Sequence, residues 1–282
     1  MGKLDASMPE GTPAARFAAR YGRDVSWVPP EWNSTIDLLL AHRSVRRYLD
    51  QDVPDDLLRT VVAAAQSGPT SSNHQVISAV AVRSEQTKAA LFEVGGPKQR
   101  HILQAPVILV WLIDFRRVNT IAEGADAPLG GLEYLDALLI GATDVGVAAQ
   151  NAATAAESLG LGTVLLGSLR NDLQHVAELL ELPRDVIPFL GMALGHPDPE
   201  EKAGIKPRLS QRTVLHHETY DARDLSAELA EYEETIGDYY RNYGLDPQWA
   251  ARTIERLSHQ TATASHRHLQ SHYYRRAGLG LK

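Results

Sequence analysis

Continuous apolar runs separated by helical patterns dominate the middle of the chain. The two longest, Ala105–Ile113 and Val186–Leu194, contain almost no polar residue, a pattern typical of strands that are buried on both faces. Ile77–Arg83 and Thr163–Leu166 are shorter runs and predict two further strands. Because these strands alternate with helical segments, the pattern indicates an α/β or α+β fold and argues against an all-helical bundle.

The longest helical pattern is Leu132–Leu159, which would be roughly 40 Å long at about 1.5 Å per residue. It is rich in alanine and apolar all round, so it is predicted to be buried on most sides. A loop is expected at Ile121–Gly131. Other helices are expected at Ala14–Tyr21, from an N-cap at Ser34 or Thr35 to near His42, from Pro54 to about Ser67, at Glu85–Val94, at Asn171–Leu180 with Asn171 as its cap, at Asp224–Tyr240 and at Trp249–Arg276.

Shifts in composition divide the chain into three predicted segments. Residues 1–30 hold several glycines and prolines and are expected to form an arm. Residues 31–220 contain all the predicted strands and would form the main domain. Residues 221–282, which are first acidic and then rich in histidine, would form a C-terminal helical extension. The 282 residues are enough for a sizeable hydrophobic core.

Composition and charge remove several classes of function. The chain has no cysteine, which excludes disulfide scaffolds, iron–sulfur clusters, thiolate zinc sites and cysteine nucleophiles. The net charge of −7, from 28 basic and 35 acidic residues, argues against general nucleic-acid binding. No apolar run approaches the roughly 18 residues of a membrane span, so no membrane association is predicted. The chemistry must come from other side chains or from a bound cofactor.

Several well-known catalytic and nucleotide-binding motifs are missing from the sequence. Gly160-Leu161-Gly162 is not a dinucleotide fingerprint, because Leu165 stands where the third glycine is needed. The sequence has no G-x-x-x-x-G-K-[ST] loop for a nucleoside triphosphate, no G-x-S-x-G nucleophile elbow and no H-E-x-x-H zinc motif. The sequence therefore gives no support to a dinucleotide fingerprint, a P-loop enzyme, a nucleophile-elbow hydrolase or a zinc protease.

Three polar segments are candidates for ligand binding. His42-Arg43-Ser44-Val45-Arg46 and Lys206-Pro207-Arg208 are basic turns that suit an anion such as phosphate, although each by itself is more typical of a solvated surface turn. Thr70-Ser71-Ser72-Asn73-His74-Gln75 offers many hydrogen-bond donors just before a strand, or is an ordinary polar loop.

The histidines near the C-terminus allow two interpretations. His268 and His272 are four residues apart and would share one face of a helix, with His266 close by, and that spacing is able to hold a metal ion. No acidic residue or cysteine nearby completes a ligand set. A polar helix face is therefore the favoured interpretation, and no metal site is predicted.

Taken together, seven segments resemble the nitroreductase superfamily, and most closely its branch of NADPH-dependent, oxygen-insensitive nitroreductases and flavin reductases. The combination is specific, whereas any one segment is not, and the resemblance covers about Thr35 to Tyr220. In chain order the segments are H-R-S-V-R from His42, the loop ending at Gln75, Gln99–Ala105, Ala149–Gly162, Leu166–Asn171, Pro183–Gly195 and Lys206–Leu209.

The resemblance implies an α+β fold, in which helices flank a mixed sheet around a long central helix, with a C-terminal helical extension. It also implies a homodimer that binds one FMN per subunit, with both flavins at the subunit interface. By the same resemblance, His42, Ser44, Lys206 and Arg208 would hold the FMN phosphate or ribityl chain, and Arg46 would lie toward the pyrimidine edge. The full set of expected cofactor-binding residues is His42, Arg43, Ser44, Arg46, Thr70, Gln99, Leu165, Leu166, Gly167, Ser168, Lys206 and Arg208.

The activity that the resemblance implies is an NAD(P)H-dependent oxidoreductase of the cytoplasm. NADPH or NADH would pass a hydride to flavin N5, and a small-molecule acceptor such as a nitroaromatic, a quinone or a free flavin would then take its place in a ping-pong cycle. Relatives carry an arginine-rich loop that grips the NADPH phosphate, whereas here the corresponding loop has only Arg241, and Asp246 would repel a phosphate.

Three other interpretations stay open at this point. The chain would also fit a flavin-binding or storage protein whose N-terminal arm blocks the nicotinamide. It would fit a dedicated FMN-dependent metabolic enzyme of the same fold, for example a dehalogenase or an azoline oxidase. A chain that takes up no FMN would instead be a cofactor-free ligand-binding protein.

Overall fold

A computed structural model describes residues 12–22 and 27–282. Half of the predicted arm over residues 1–30 therefore lies outside the described residues, although the helix expected within it is found. The helices are α1 (Pro13–Tyr21), α2 (Ser34–Ala41), α3 (Asp55–Gln66), α4 (Glu85–Gly95), α5 (His101–Gln104), α6 (Arg116–Gly124), α7 (Leu135–Ser158), α8 (Leu173–Leu179), α9 (Gln211–Val214), α10 (Ser226–Asn242), α11 (Trp249–Arg256), α12 (His259–Ala264) and α13 (Gln270–Arg276). The strands are β1 (Ile77–Val82), β2 (Val107–Asp114), β3 (Gly162–Leu166) and β4 (Val186–Gly195).

The chain forms two compact units, and each contains two separate stretches of sequence. The first unit comprises Met1–Arg43 with Lys202–Ser258, and the second comprises Ser44–Glu201 with His259–Lys282. Contact in space therefore groups the residues differently from the predicted segments 1–30, 31–220 and 221–282. Those segments stay a prediction about sequence composition.

The second unit is built on a four-stranded sheet with the order β1-β2-β4-β3. Its three strand pairs are antiparallel, and the β2–β4 pairing begins at Val107↔Leu194. All eight residues of β2 are buried, as its unbroken apolar run predicted. The α+β class is confirmed, although the described strands pair antiparallel throughout, whereas a mixed sheet was expected.

Helix α7 packs one of its sides against α3 and the sheet. Its 24 residues span about 36 Å. The alanines of this side are small enough for close packing, and the buried positions are Ala137, Gly141, Asp144, Val145, Ala148, Ala149, Ala152, Ala153 and Ala156. The expectation of burial on most sides is not met within one chain, because Leu135 and Leu139 on the opposite side are about half exposed.

Several predicted boundaries were wrong. The first part of the loop expected at Ile121–Gly131 belongs to α6, whose amphipathic sequence buries Ala122. Helix α2 is capped by Asn33, whose Oδ1 accepts the Ile36 N–H, because asparagine is as good an N-cap as the serine that follows. Helix α7 begins at Leu135, after a 3₁₀ turn.

Two further predictions failed near the C-terminal half of the chain. Helix α8 is capped by Asp172, because the Asn171 side chain is already bonded to other groups. The helix expected over 249–276 is divided into α11, α12, a 3₁₀ turn and α13. One of the breaks lies at His266, whose φ of 56° is left-handed.

Within the described residues, no helix combines the length and the apolar character that crossing a bilayer requires.

Candidate functional site

Arg20 brings the two predicted basic turns together inside the first unit. It lies on α1 and is only 4% exposed. Its guanidinium donates hydrogen bonds to the carbonyl oxygens of Leu40, His42 and Lys206, the last at 2.7 Å. The Arg208 N–H in turn donates to the Arg20 carbonyl at 2.8 Å. The end of α2 and the Lys206-Pro207-Arg208 turn are thus fixed to the same residue, although more than 160 positions separate them.

Helix α10 supports the Lys206-Pro207-Arg208 turn with tyrosine side chains. The Tyr232 hydroxyl donates to the Pro207 carbonyl at 3.1 Å, and the Lys206 ammonium lies 5.5 Å from the centre of the Tyr240 ring. A cation over an aromatic ring is attracted to the negative face of that ring. The exposed Arg208 side chain makes only 3.4 Å contacts with neighbouring carbonyls, so its charge faces outward.

In the second unit, the Ser44–Arg46 segment lies beside β3. The Val45 N–H donates to the Thr163 carbonyl at 2.9 Å, and Val45 packs so closely on Gly162 that no side chain would fit there. The Arg46 N–H donates to Glu201 Oε1 at 2.7 Å, while its side chain is exposed. This segment is therefore held next to the strand that leads into Leu165–Ser168.

His101, which was not among the predicted site residues, lies buried near Arg46. Its imidazole is 4% exposed, and Nε2 has no hydrogen-bond partner among the described residues. Burial, reinforced by the positive charge of Arg46, lowers the pKa of His101 to about 4. The ring therefore stays neutral at physiological pH and adds no positive charge to this part of the site.

Gln99 and Ser168 both lie close to Gly95, at the end of α4. A methyl group placed on Gly95 would lie 3.3 Å from both Gln99 Cγ and Ser168 Oγ, so glycine leaves room for the two side chains. The Ser168 hydroxyl is buried and has no partner within the described part of the chain. It lies toward Gly95 rather than in solvent.

The 3₁₀ turn Gly167–Asn171 carries two of the predicted residues and is held from several sides. Arg267, near the C-terminus, donates to the Gly167 carbonyl at 3.0 Å and to Asn171 Oδ1 at 3.1 Å. Leu169, in the middle of the turn, is buried. Leu165 on β3, by contrast, is 46% exposed.

Thr70 lies elsewhere in the second unit, in a loop that α7 anchors. The adjacent Ser71 N–H donates to Asp144 Oδ1 at 2.9 Å. The loop continues through Ser72, Asn73 and Gln75, all of which have positive φ, a conformation that costs energy for residues other than glycine. Such concentrated strain is typical of functional loops.

The sequence alone missed the residues that organise these groups. Arg20 lies in the helix predicted over Ala14–Tyr21, and Arg267 lies in the helix predicted over Trp249–Arg276, but no functional role was predicted for either. A single arginine forms no sequence motif, so nothing in the sequence indicates a role for either residue. His268 lies on the 3₁₀ turn Arg267–Leu269, and His272 lies on α13, which follows that turn directly. No cluster of three or more potential metal ligands occurs among residues 12–22 and 27–282.

The loop that follows α10 lacks unpaired arginines for a nicotinamide phosphate. Arg241 is paired with Asp238. Asp246 lies 3.9 Å from Arg252, whose guanidinium also lies over the Tyr240 ring, so the negative charge expected to repel a phosphate is partly balanced.

Similar proteins connect this arrangement with flavin enzymes. The chain is 39% identical over 209 residues to the FMN reductase [NAD(P)H] of Bacillus subtilis, covering 73% of this chain and 83% of that protein. The structure of B. megaterium NfrA2 superposes with a TM-score of 0.82 at 35% identity, covering 89% of this chain and all of that one. The NADPH:FMN oxidoreductase from Vibrio harveyi, solved with NAD⁺, superposes with a TM-score of 0.77 at 33% identity and the same coverage.

Family models account for most of the sequence. The nitroreductase family model matches residues 39–109 and 95–196, and the model of the nitroreductase family C-terminal domain matches residues 206–282. The second match begins at Lys206, the first residue of the basic turn that Arg20 binds. The fold, the two basic turns and these matches show that the chain is a member of the nitroreductase family.

Proposed function

We propose that this protein is an FMN-dependent NAD(P)H oxidoreductase that reduces nitroaromatics, quinones or flavins. The observation that carries the proposal is the attachment of both basic turns to Arg20, because a phosphate needs several converging donors. Family membership and the names of the similar proteins support the same activity. This cofactor also explains why an acidic protein concentrates arginine and lysine in two short turns.

The residues present fit FMN in charge and in hydrogen bonding. In the first unit, we propose that His42, Arg43, Lys206 and Arg208 bind the phosphate or the ribityl chain. Arg208 suits this role best, because its guanidinium is exposed and only weakly bonded within the protein. An arginine also offers two parallel donors to a phosphate.

In the second unit, the proposed ligands are polar groups and backbone around the turn that follows β3. The Ser168 hydroxyl is buried toward Gly95, so the backbone of this turn is the part proposed to contact the cofactor. Arg46, with its exposed side chain, would stabilise negative charge at the pyrimidine edge. The proposed set in this unit is Ser44, Arg46, Thr70, Gln99, Leu165, Leu166, Gly167 and Ser168.

The bound flavin supplies the hydride chemistry, so the protein needs no nucleophile or acid of its own. Its residues bind and orient the cofactor and provide hydrogen-bond donors around the flavin ring. Burial keeps His101 uncharged. NADPH or NADH would be the electron donor. Because that donor is supplied in the cytoplasm, we propose a cytoplasmic location.

We further propose a homodimer. Leu135 and Leu139 of α7 are 47% and 54% exposed, and Tyr134 just before the helix is 54% exposed. Large apolar side chains concentrated on one side of a long helix are typical of an interface with a second copy.

An anaerobic titration tests the activity. The purified protein should be yellow, should bleach with NADPH or NADH, and should recover its colour when a quinone is added. Comparing the two nicotinamides identifies the preferred donor, and an acceptor panel separates a broad reductase from a dedicated metabolic enzyme. Colour without bleaching would indicate a flavin-storage protein, and failure to take up FMN would refute the proposal.

Arg208→Ala tests the phosphate site. Loss of a charged hydrogen bond is worth about 1.5–3 kcal/mol, so the dissociation constant of FMN should rise roughly 10- to 100-fold in a fluorescence titration. Arg212→Ala is the matched control, because Arg212 is also exposed and lies four residues away but is paired with Glu231 at 3.1 Å. Equal affinities of the two variants would contradict the assigned site.

A further inference from the structure

Arg267 clamps the two ends of the turn Gly167–Asn171. One guanidinium nitrogen, Nη2, donates to the carbonyl of Gly167, the first residue of the turn, and Nε donates to the side chain of Asn171, its last residue. Arg267 comes from the C-terminal segment, 100 residues along the chain from Gly167, and its side chain is exposed. It therefore contributes little buried surface, and its contacts are directed at hydrogen-bonding atoms of the turn.

Other contacts fix the later part of the turn. Asn171 Nδ2 donates to the Val94 carbonyl at 3.2 Å, and Gln270 Nε2 donates to the Arg170 carbonyl at 3.2 Å. The Arg170 guanidinium lies 5.6 Å from the centre of the Phe189 ring. These contacts act at residues 170 and 171, as does the Arg267 Nε bond to Asn171, whereas the Arg267 Nη2 bond to the Gly167 carbonyl acts at the beginning of the turn.

We propose that Arg267 is a positioning residue that fixes the Gly167–Ser168 peptide and thereby tunes the redox potential of the bound flavin. This inference rests on the proposed function, in which this turn lines the flavin, and it takes the Ser168 N–H as the backbone donor that the family resemblance implies near flavin N5. The Gly167 carbonyl and the Ser168 N–H belong to one planar peptide group, so a bond to the oxygen also fixes the direction of the N–H. A charged donor on the oxygen polarises the peptide and makes that N–H a stronger donor.

The direction of the effect follows from the chemistry of flavin N5. In the oxidised flavin N5 is a hydrogen-bond acceptor, whereas in the reduced flavin it carries a hydrogen. A peptide that presents its N–H favours the oxidised form, and a peptide that turns to present its carbonyl favours the reduced form. Because Arg267 holds the Gly167 carbonyl, it prevents that rotation and strengthens the N–H. Removal of this bond should therefore raise the potential.

The potential of the holoenzyme tests this inference. Arg267→Gln removes the positive charge and the paired guanidinium donors. It should shift the equilibrium between oxidised and reduced flavin about tenfold, which for two electrons raises the midpoint potential by about 30 mV. The potential is measured against a reference dye. Arg267→Lys keeps the charge and should restore part of the difference. Arg275→Gln is the matched control, because Arg275 is also an exposed arginine and lies on α13. The flavin of this variant should have the same midpoint potential as that of the wild type.

Hydrogen exchange of the peptide covering residues 162–172, measured without FMN, separates this inference from the proposed function. Arg267→Gln should speed the exchange of the turn amides, whereas Arg275→Gln should not. Unchanged exchange would overturn the positioning role, and faster exchange with an unchanged potential would overturn the tuning of the flavin. A wild-type protein that binds no FMN would refute the proposed function, and with it the tuning, whereas the exchange data would still decide whether Arg267 holds the turn.

Discussion

Arg20 and Arg267 bind backbone carbonyls in different units, and their surroundings give them different roles. Arg20 is almost completely buried and donates to three carbonyls that belong to two distant stretches of sequence. Arg267 is exposed and donates to one carbonyl and one side-chain oxygen of a single turn. A buried guanidinium must have its hydrogen bonds satisfied, because water cannot replace them, whereas the loss of an exposed one lowers the stability of the whole fold less, because water can satisfy the groups that it leaves. Arg20 therefore contributes mainly to stability, and Arg267 mainly to the geometry of its turn.

The largest expected effect comes from Arg20→Met. This change leaves the carbonyls of Leu40, His42 and Lys206 without their charged donor inside the protein. We expect the free energy of unfolding to fall by about 3 kcal/mol in urea denaturation followed by circular dichroism. FMN should also be lost more readily, because the two basic turns are no longer held together.

The control for this change is Arg16→Met on the same helix. Arg16 forms a partly exposed ion pair with Asp37 at 3.1 Å, and loss of such a pair costs less than about 1 kcal/mol. Equal losses for the Arg16 and Arg20 variants would show that burial does not distinguish the two arginines of α1.

A smaller effect is expected where the turn of the second unit packs on the sheet. A methyl group on Gly191 of β4 would lie 2.6 Å from Leu169 Cδ1 and 3.0 Å from Leu166 Cβ, both closer than contact distance. Gly191→Ala should therefore displace the turn and lower the free energy of unfolding by about 1–3 kcal/mol, measured by the same denaturation. This change reaches the turn from below, whereas Arg267 reaches it from the surface.

Gly124→Ala is the matched control for this packing effect. Gly124 lies in α6, and among the described residues no atom outside its own helix backbone and chain neighbours is within 4 Å of the position that its methyl group would take. Alanine is a better helix former than glycine, so this variant should be as stable as the wild type or more stable by up to about 1 kcal/mol. A Gly191 variant of wild-type stability would mean that the turn is not held rigidly against the sheet.

The smallest effect concerns His101 and is spread over a range of pH. The folded-state pKa of about 4 lies below the ordinary value of 6.5, so the native protein favours the neutral ring. The contribution of neutral His101 to the free energy of unfolding is complete above pH 6.5. It is lost as the pH falls from 6.5 towards 4, because the unfolded chain then takes up a proton that the native chain does not. Between pH 7 and pH 5.5 we expect a loss of about 1 kcal/mol.

Denaturation at several pH values checks this expectation. His101→Gln should flatten the dependence between pH 7 and pH 5.5. His175→Gln, which changes an exposed histidine of α8, should leave the dependence as in the wild type. A slope that persists in the His101 variant would assign the pH dependence to other groups.

The sequence predicted the elements of this protein better than their ends. The buried strands β2 and β4 were found because their apolar runs have no other stable environment. Helix ends were less certain, since neighbouring residues such as Asn33 and Ser34 are comparably good caps and only the tertiary contacts select one. One break in the helix expected over 249–276 lies at the left-handed residue His266, which no local pattern indicates.

The sequence predicted the candidate site residues from their residue types, but it did not predict the arginines that hold them in place. The two basic turns were recognised because clustered cations suit an anion, and the structure joins both to Arg20. The roles of these residues toward FMN remain proposals. Neither Arg20 nor Arg267 stands out in the sequence, because a single arginine becomes a clamp only when distant carbonyls fold around it.

By itself, the amino-acid sequence determined that strands alternate with helices and which segments carry clustered charge, because periodicity and charge are local properties of the chain. The resemblance of seven segments to the nitroreductase family then implied the α+β class. Only the tertiary structure decided which segments meet. Arg20 joins residues 40–42 to residue 206, and Arg267 reaches back 100 residues to Gly167. Hydrogen bonds of this kind depend on the positions of carbonyl groups, and every residue has a carbonyl group. The identity of the partners is therefore set by the fold and not by the residue type.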